Sequence, residues 1–95
     1  MPAYIIAQIN VTNPEQYKEY TKLTPAAIAK YGGKFIVRGG DKMTLEGPEE
    51  TRRVVLIEFP DMESAKTFWH SAEYEEAKAK RKGAAEGSFV LVEGL

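Results

Sequence analysis

From Ala3 to Ile9 the chain reads Ala-Tyr-Ile-Ile-Ala-Gln-Ile, a short apolar and β-branched run that predicts a strand covered on both faces. Asn13-Pro14-Glu15-Gln16 then supplies a helix cap, a proline at the first helical position and a glutamine three residues after the cap. Tyr17, Tyr20, Leu23, Ala27, Ile28 and Tyr31 recur at helical spacing and give that helix one apolar face, which Gly32-Gly33 ends. Pro25 falls inside this pattern and predicts either a kink between Thr21 and Pro25 or a new helix capped by Thr24. The period then shortens to that of a strand. Phe35 to Arg38 runs into Gly39-Gly40, and Lys42 to Glu46 alternates up to Gly47-Pro48, which reads as one long strand bent by a bulge at the glycines. After a polar turn, Arg52 to Phe59 is the strongest strand pattern in the chain. Asp61 can cap a helix that turns Ala65, Phe68 and Trp69 inward. Ser71 can cap a second segment, from Ala72 to about Lys82, that turns Tyr74, Ala77 and Arg81 to one side and carries Glu76 and Lys80 as a supporting pair. Gly83 and Gly87 bracket its end, and Ser88 to Glu93 supplies a last strand.

The resulting order, β-α-β-β-α-β, predicts an α+β, ferredoxin-like fold in which helices cover one face of a four-stranded antiparallel sheet. The strands are nevertheless apolar at both parities: Val54 and Leu56 fall on one face, Val55 and Ile57 on the other. A chain with helices for only one face needs cover for the second, and a second copy stacking sheet on sheet supplies it most simply. The expected state is a homodimer.

Composition narrows the chemistry. At 95 residues there is room for one domain, residues 1–95, and one core. An apolar fraction of 43% with 28% charged residues is that of an ordinary globular protein, and no apolar run approaches the ~18 residues of a membrane-spanning helix. Met1-Pro2-Ala3-Tyr4 leads straight into Ile5 and Ile6 without the features of a signal peptide, so the expected location is the cytoplasm. The absence of cysteine excludes disulfides, thiolate metal sites and cysteine nucleophiles, and the single His70 excludes a histidine-rich metal site within one chain. Neither a metal nor a cofactor is expected. Thirteen basic against fourteen acidic residues, a net charge of -1, give no general attraction for nucleic acid or an anionic membrane. Arg38-Gly39-Gly40 stands once, inside a strand pattern, and lacks the repetition of RNA-binding RGG tracts. The glycine pairs lack the strand-to-helix context of a phosphate loop.

Glu58 is the most conspicuous candidate, because a carboxylate inside the apolar run Val54 to Phe59 is costly to bury unless paired or protonated, and a raised pKa would suit a general acid or base. The plainer alternative is a strand-end residue held by an arginine or an interface partner. Arg38 is its natural companion across the hairpin; its guanidinium can close a salt bridge with Glu58 or clamp a substrate carboxylate. Tyr20, Trp69 and Tyr74, with Tyr17, Tyr31 and Phe68, are placed to line the space between helices and sheet, where aromatics more often serve as core. Arg81 can help close such a pocket or sit as a solvated helix-end charge, and His70 is a proton-shuttle candidate or a helix-end residue.

Met1-Pro2-Ala3-Tyr4, Tyr31-Gly32-Gly33, Arg38-Gly39-Gly40, Glu46-Gly47, Ile57-Glu58-Phe59-Pro60, Ser71 with Tyr74, and Val92-Glu93-Gly94 resemble, in order along nearly the whole chain, a family of small bacterial proteins of unknown function within the dimeric α+β barrel superfamily. Ala72 departs from that pattern where a proline is frequent, and Phe68-Trp69-His70 sets its aromatics one step aside. The resemblance implies a sheet-to-sheet dimer. Superfamily relatives include cofactor-free monooxygenases, ring isomerases, haem enzymes and stress-induced proteins, and His70 stands without a haem signature around it. Two readings follow. In the first the protein is a homodimeric small-molecule-binding protein that acts as a cofactor-free, monooxygenase- or isomerase-like enzyme, with Glu58 and Arg38 as catalytic residues and Tyr20, Trp69, His70, Tyr74 and Arg81 around the substrate. In the second it is a non-catalytic dimeric module that binds a metabolite or partner protein.

Overall fold

Along the first strand, β1 (Ala3–Val11), burial alternates strictly: Ala3, Ile5, Ala7 and Ile9 are buried while Tyr4, Ile6 and Gln8 are half-buried. β3 (Arg53–Phe59) repeats the pattern, with Val55, Ile57 and Phe59 buried between Val54, Leu56 and Glu58. A computed structural model describes the whole chain, Met1–Leu95. The remaining elements are α1 (Pro14–Lys30), β2 (Lys34–Arg38), α2 (Met62–Trp69), α3 (Ala72–Arg81) and β4 (Ala85–Glu93). The four strands form one antiparallel sheet in the order β2-β3-β1-β4. In register, Phe35, Ile57, Ile5 and Leu91 make a single row across it, facing the helices. This is the ferredoxin-like βαββαβ arrangement, its second helical stretch broken in two.

The caps are those the sequence predicts. Asn13 accepts from the Gln16 amide at 3.2 Å and Asp61 from the Ser64 amide at 2.7 Å. The buried Ser71 hydroxyl accepts from the Tyr74 amide at 3.1 Å and donates to the Phe68 carbonyl at 2.7 Å, so one side chain ends α2 and starts α3. At the end of α1, Gly32 adopts φ 81°, a left-handed conformation that lets its amide and that of Gly33 turn back onto the carbonyls of Ala29 and Ile28.

Three expectations are corrected. Of the two alternatives at Pro25, the second helix does not form: α1 is one helix through Pro25, with Thr24 buried inside it. The proline removes one ladder hydrogen bond, while Ala27 and Ile28, both in the core, hold the second half in place. β2 stops at Arg38 and does not continue to Glu46, and its irregularity lies between Phe35 and Val37, ahead of the glycines. The reason is pairing: β3 begins only at Arg53, so Lys42 to Glu46 have no strand to bond, and Met43 and Leu45 stand exposed. β4, finally, begins at Ala85, so that Gly87 lies within the strand opposite Ile9.

The core lies between the sheet and the helices. Phe59, Phe68 and Tyr74 are its largest fully buried side chains, the Phe68 ring 5.1 Å from that of Phe59 and 4.7 Å from that of Tyr74. Glu73 clasps α3 to the end of α1 through Lys30 and the Tyr31 hydroxyl, and those two hydrogen bonds hold its carboxyl down to about 2. The far face of the sheet has no cover within the chain. No helix is long and apolar enough to cross a membrane.

Candidate functional site

Between α1 and the sheet the core is incompletely filled. Ile5, Ala7 and Ile9 of β1 with Val55 and Ile57 of β3 form the floor, α1 contributes Tyr17, Tyr20, Thr24 and Ile28, and Phe68, Trp69, Tyr74 and Phe89 close the inner end. Phe35 and Arg38 of β2 and Arg53 of β3 complete the lining. The cavity volume is about 30 Å³. The cavity is thus narrow as it stands, with room for about two waters.

Its polar groups are few: tyrosine and threonine hydroxyls and the guanidiniums of Arg38 and Arg53. The Tyr20 and Tyr74 hydroxyls lie 3.0 Å apart. Burial pushes both of these phenols up, and Tyr17 with them, so all three stay protonated at neutral pH. They can donate or accept a hydrogen bond, and none is a base. Arg38 holds its guanidinium 4.3 Å from the Phe35 ring centroid. Arg53 lies against the bare α-carbon of Gly39 (φ 66°), where a side chain would require the guanidinium to shift. Arg81 lies behind the aromatic wall, 5.3 Å from the Tyr20 ring centroid and 4.6 Å from that of Phe89. The Nε atoms of Arg53 and Arg81 are buried without a hydrogen-bond partner. No carboxylate comes within 4.0 Å of any of the three arginines.

Of the residues singled out in the sequence, Tyr20, Trp69, Tyr74 and Arg38 meet at this cavity, and Arg81 backs it. Glu58 does not. Arg38 is opposite Val55 in register and so belongs to the helix side of β3, whereas Glu58 is opposite Lys34 and shares the far side with Leu56. The expected companionship of Glu58 and Arg38 is therefore corrected: the sheet separates them, and Glu58 is partnered by Lys34 Nζ at 3.6 Å. His70 is exposed at the end of α2, its amide bonded to the Lys66 carbonyl, and borders an open cleft with Lys66 and Val90. Nowhere do three histidine, aspartate or glutamate side chains gather as metal ligands would. Sequence reasoning missed Arg53. Its parity is that of Val55 and Ile57, which already assigned it to the covered face.

The fold is shared by solved structures of low sequence identity. A protein of unknown function from Rhodopseudomonas palustris is 20% identical with a TM-score of 0.81, the match covering 99% of this chain and 82% of that one. A cofactor-independent oxygenase from Streptomyces nogalater is 12% identical with a TM-score of 0.71 over 99% of this chain and 93% of its own. A dimeric protein of unknown function and ferredoxin-like fold from Bacteroides fragilis is 19% identical with a TM-score of 0.69, over 98% and 96% of the two chains. No curated protein matches the chain. The model of one family, described as a domain of unknown function (DUF1330), matches residues 2–95, and the chain belongs to that family.

Proposed function

We propose that the protein is a homodimeric small-molecule-binding protein whose ligand enters the aromatic cavity between α1 and the sheet. The observation that carries this reading is the cavity itself: an unfilled space lined mainly by apolar and aromatic side chains, thirteen of seventeen, in a core that is otherwise closed around Phe59, Phe68 and Tyr74. The dimer is supported by the far face of the sheet, where Leu56, Ile6 and Val90 lie side by side in register, with Val92 beside Tyr4 in the next row, and no helix covers them. A second copy stacked there would bury that row and leave the helix-side cavity free. The relative from Bacteroides fragilis is itself dimeric.

Cofactor-free catalysis, the activity of the relative from Streptomyces nogalater, is the second reading. In this chain it would rest on hydrogen bonds from the tyrosines and charge from the arginines, because the cavity holds no carboxylate or histidine to act as a base. Simple binding needs less and is preferred. The test uses toluene as a neutral probe: saturating toluene should raise the midpoint of thermal unfolding of the wild type and shift the emission of Trp69. Thr21→Phe, at a half-buried lining position, should abolish both effects; a wild type indifferent to toluene would end the reading.

A further inference from the structure

The arginines around the cavity carry more than an apolar ligand requires. Arg38 and Arg53 line it and Arg81 stands behind its wall, and no carboxylate is within 4.0 Å of any of them. Two guanidinium Nε atoms, those of Arg53 and Arg81, are buried with no partner at all. Arg38 is exposed and Arg53 half-buried, so their charges reach water, but the buried Nε of Arg53 is a donor at the cavity without an acceptor, and an anion bound there would supply one. Gly39 sharpens the point: it is the residue whose missing side chain leaves space for the Arg53 guanidinium.

Resting on the cavity reading above, we infer that the ligand is a small planar carboxylate, its apolar ring among Tyr17, Tyr20 and Trp69 and its carboxylate on the guanidinium of Arg53, with Arg38 beside it. The planar fork of arginine matches a carboxylate through two parallel hydrogen bonds. A phosphate is less well served, because no turn of free backbone amides or helix N-terminus lines the space to supply further donors. The free volume as it stands holds about two waters, so a ring enters only if side chains at the open side move apart, and a body larger than one ring would require still more movement. One hydroxyl of the Tyr20–Tyr74 pair donates to the other, which leaves a single O–H in this wall free to donate to a second polar atom.

The test titrates the full-length protein with benzoate and with benzamide, its neutral counterpart, following Trp69, the chain's one tryptophan and a lining residue. Benzoate should bind about tenfold or more tighter than benzamide, the order expected of one charge-assisted pair. Arg53→Gln should weaken benzoate about tenfold and benzamide by much less, bringing the two probes to similar affinity, with an unchanged circular dichroism spectrum showing that the variant folds. Arg38→Gln, at an exposed position, should weaken benzoate by a smaller factor. Equal affinity of the two probes in the wild type, or a benzoate preference that survives both substitutions, would overturn the carboxylate assignment while leaving the cavity as a binding site. If neither probe binds, the cavity reading falls and this inference with it.

Discussion

Alternate residues of the same strands have opposite surroundings. On the helix side of β1 and β3, Ile5, Val55, Ile57 and Phe59 are 7% exposed or less, whereas on their far side Ile6, Val54 and Leu56 are half-buried, and beside them Val92 and Val90 of β4 are 43% and 56% exposed. The charges are distributed the other way round. The open side pairs its ions: Glu58 meets Lys34 at 3.6 Å, and Glu50, bonded to Gln8 at 2.9 Å, also takes two hydrogen bonds from the side chain of Arg52. The covered side keeps Arg38, Arg53 and Arg81 without a carboxylate between them. Ordinary economy would pair charges where water is scarce and leave them free where it is plentiful. The inversion assigns different work to the two faces. An apolar face whose charges are already satisfied is suited to burial against a protein, and an apolar cavity whose charges are unsatisfied is suited to a ligand that brings its own.

The strongest way to sharpen this contrast is to damage the core that shapes the cavity. Phe68 is 1% exposed and packs against the rings of Phe59 and Tyr74. Phe68→Ala should lower unfolding stability by about 3–5 kcal/mol, read from chemical denaturation. A loss under about 1 kcal/mol would mean that the aromatic wall is soft and that the cavity has no fixed shape to recognise.

On the far face the expected effect concerns association more than folding. Leu56→Lys places a charge in the centre of the apolar row, where a stacked partner would have to bury it unpaired, at a cost of several kcal/mol. Light scattering should find the wild type as a dimer and the variant as a monomer at the same concentration, with an unchanged helix and strand signal in circular dichroism. A wild type that stays monomeric at high concentration would break the comparison, because the open face would then serve no second copy.

How far the sequence discloses these two faces depends on which physical signal is local. The caps at Asn13, Asp61 and Ser71, the helix stop at Gly32 and the alternation of β1 and β3 are short-range, and all are readable along the chain. Whether Lys42 to Glu46 forms a strand is a long-range matter, decided by where β3 begins, and local alternation misleads there. The cavity lies between these cases. Tyr20, Trp69, Tyr74 and Arg38 are visible as candidates, yet the chemistry depends on which charged residues share their side of the sheet. Glu58 attracts notice by standing in an apolar run, but it has the parity of Leu56. Arg53, at the head of the same run, has the parity of Val55 and points the other way. Counting in twos along a single strand separates the two residues; hydrophobicity alone does not.

The smallest effect is expected at Glu58, on the side of β3 away from the cavity. Glu58→Gln removes the charge facing Lys34 on a half-exposed pair, which by the usual worth of such pairs should change stability by less than about 1 kcal/mol. Because the sheet lies between Glu58 and the cavity, the variant should titrate with benzoate and benzamide as the wild type does, and any turnover found for the wild type should persist. Lost binding or lost turnover in Glu58→Gln would return the carboxylate to the site. Since β3 cannot turn one residue over without displacing Ile57 and Phe59 from the core, that outcome would mean that the two faces of the sheet do not divide the work as their charges indicate.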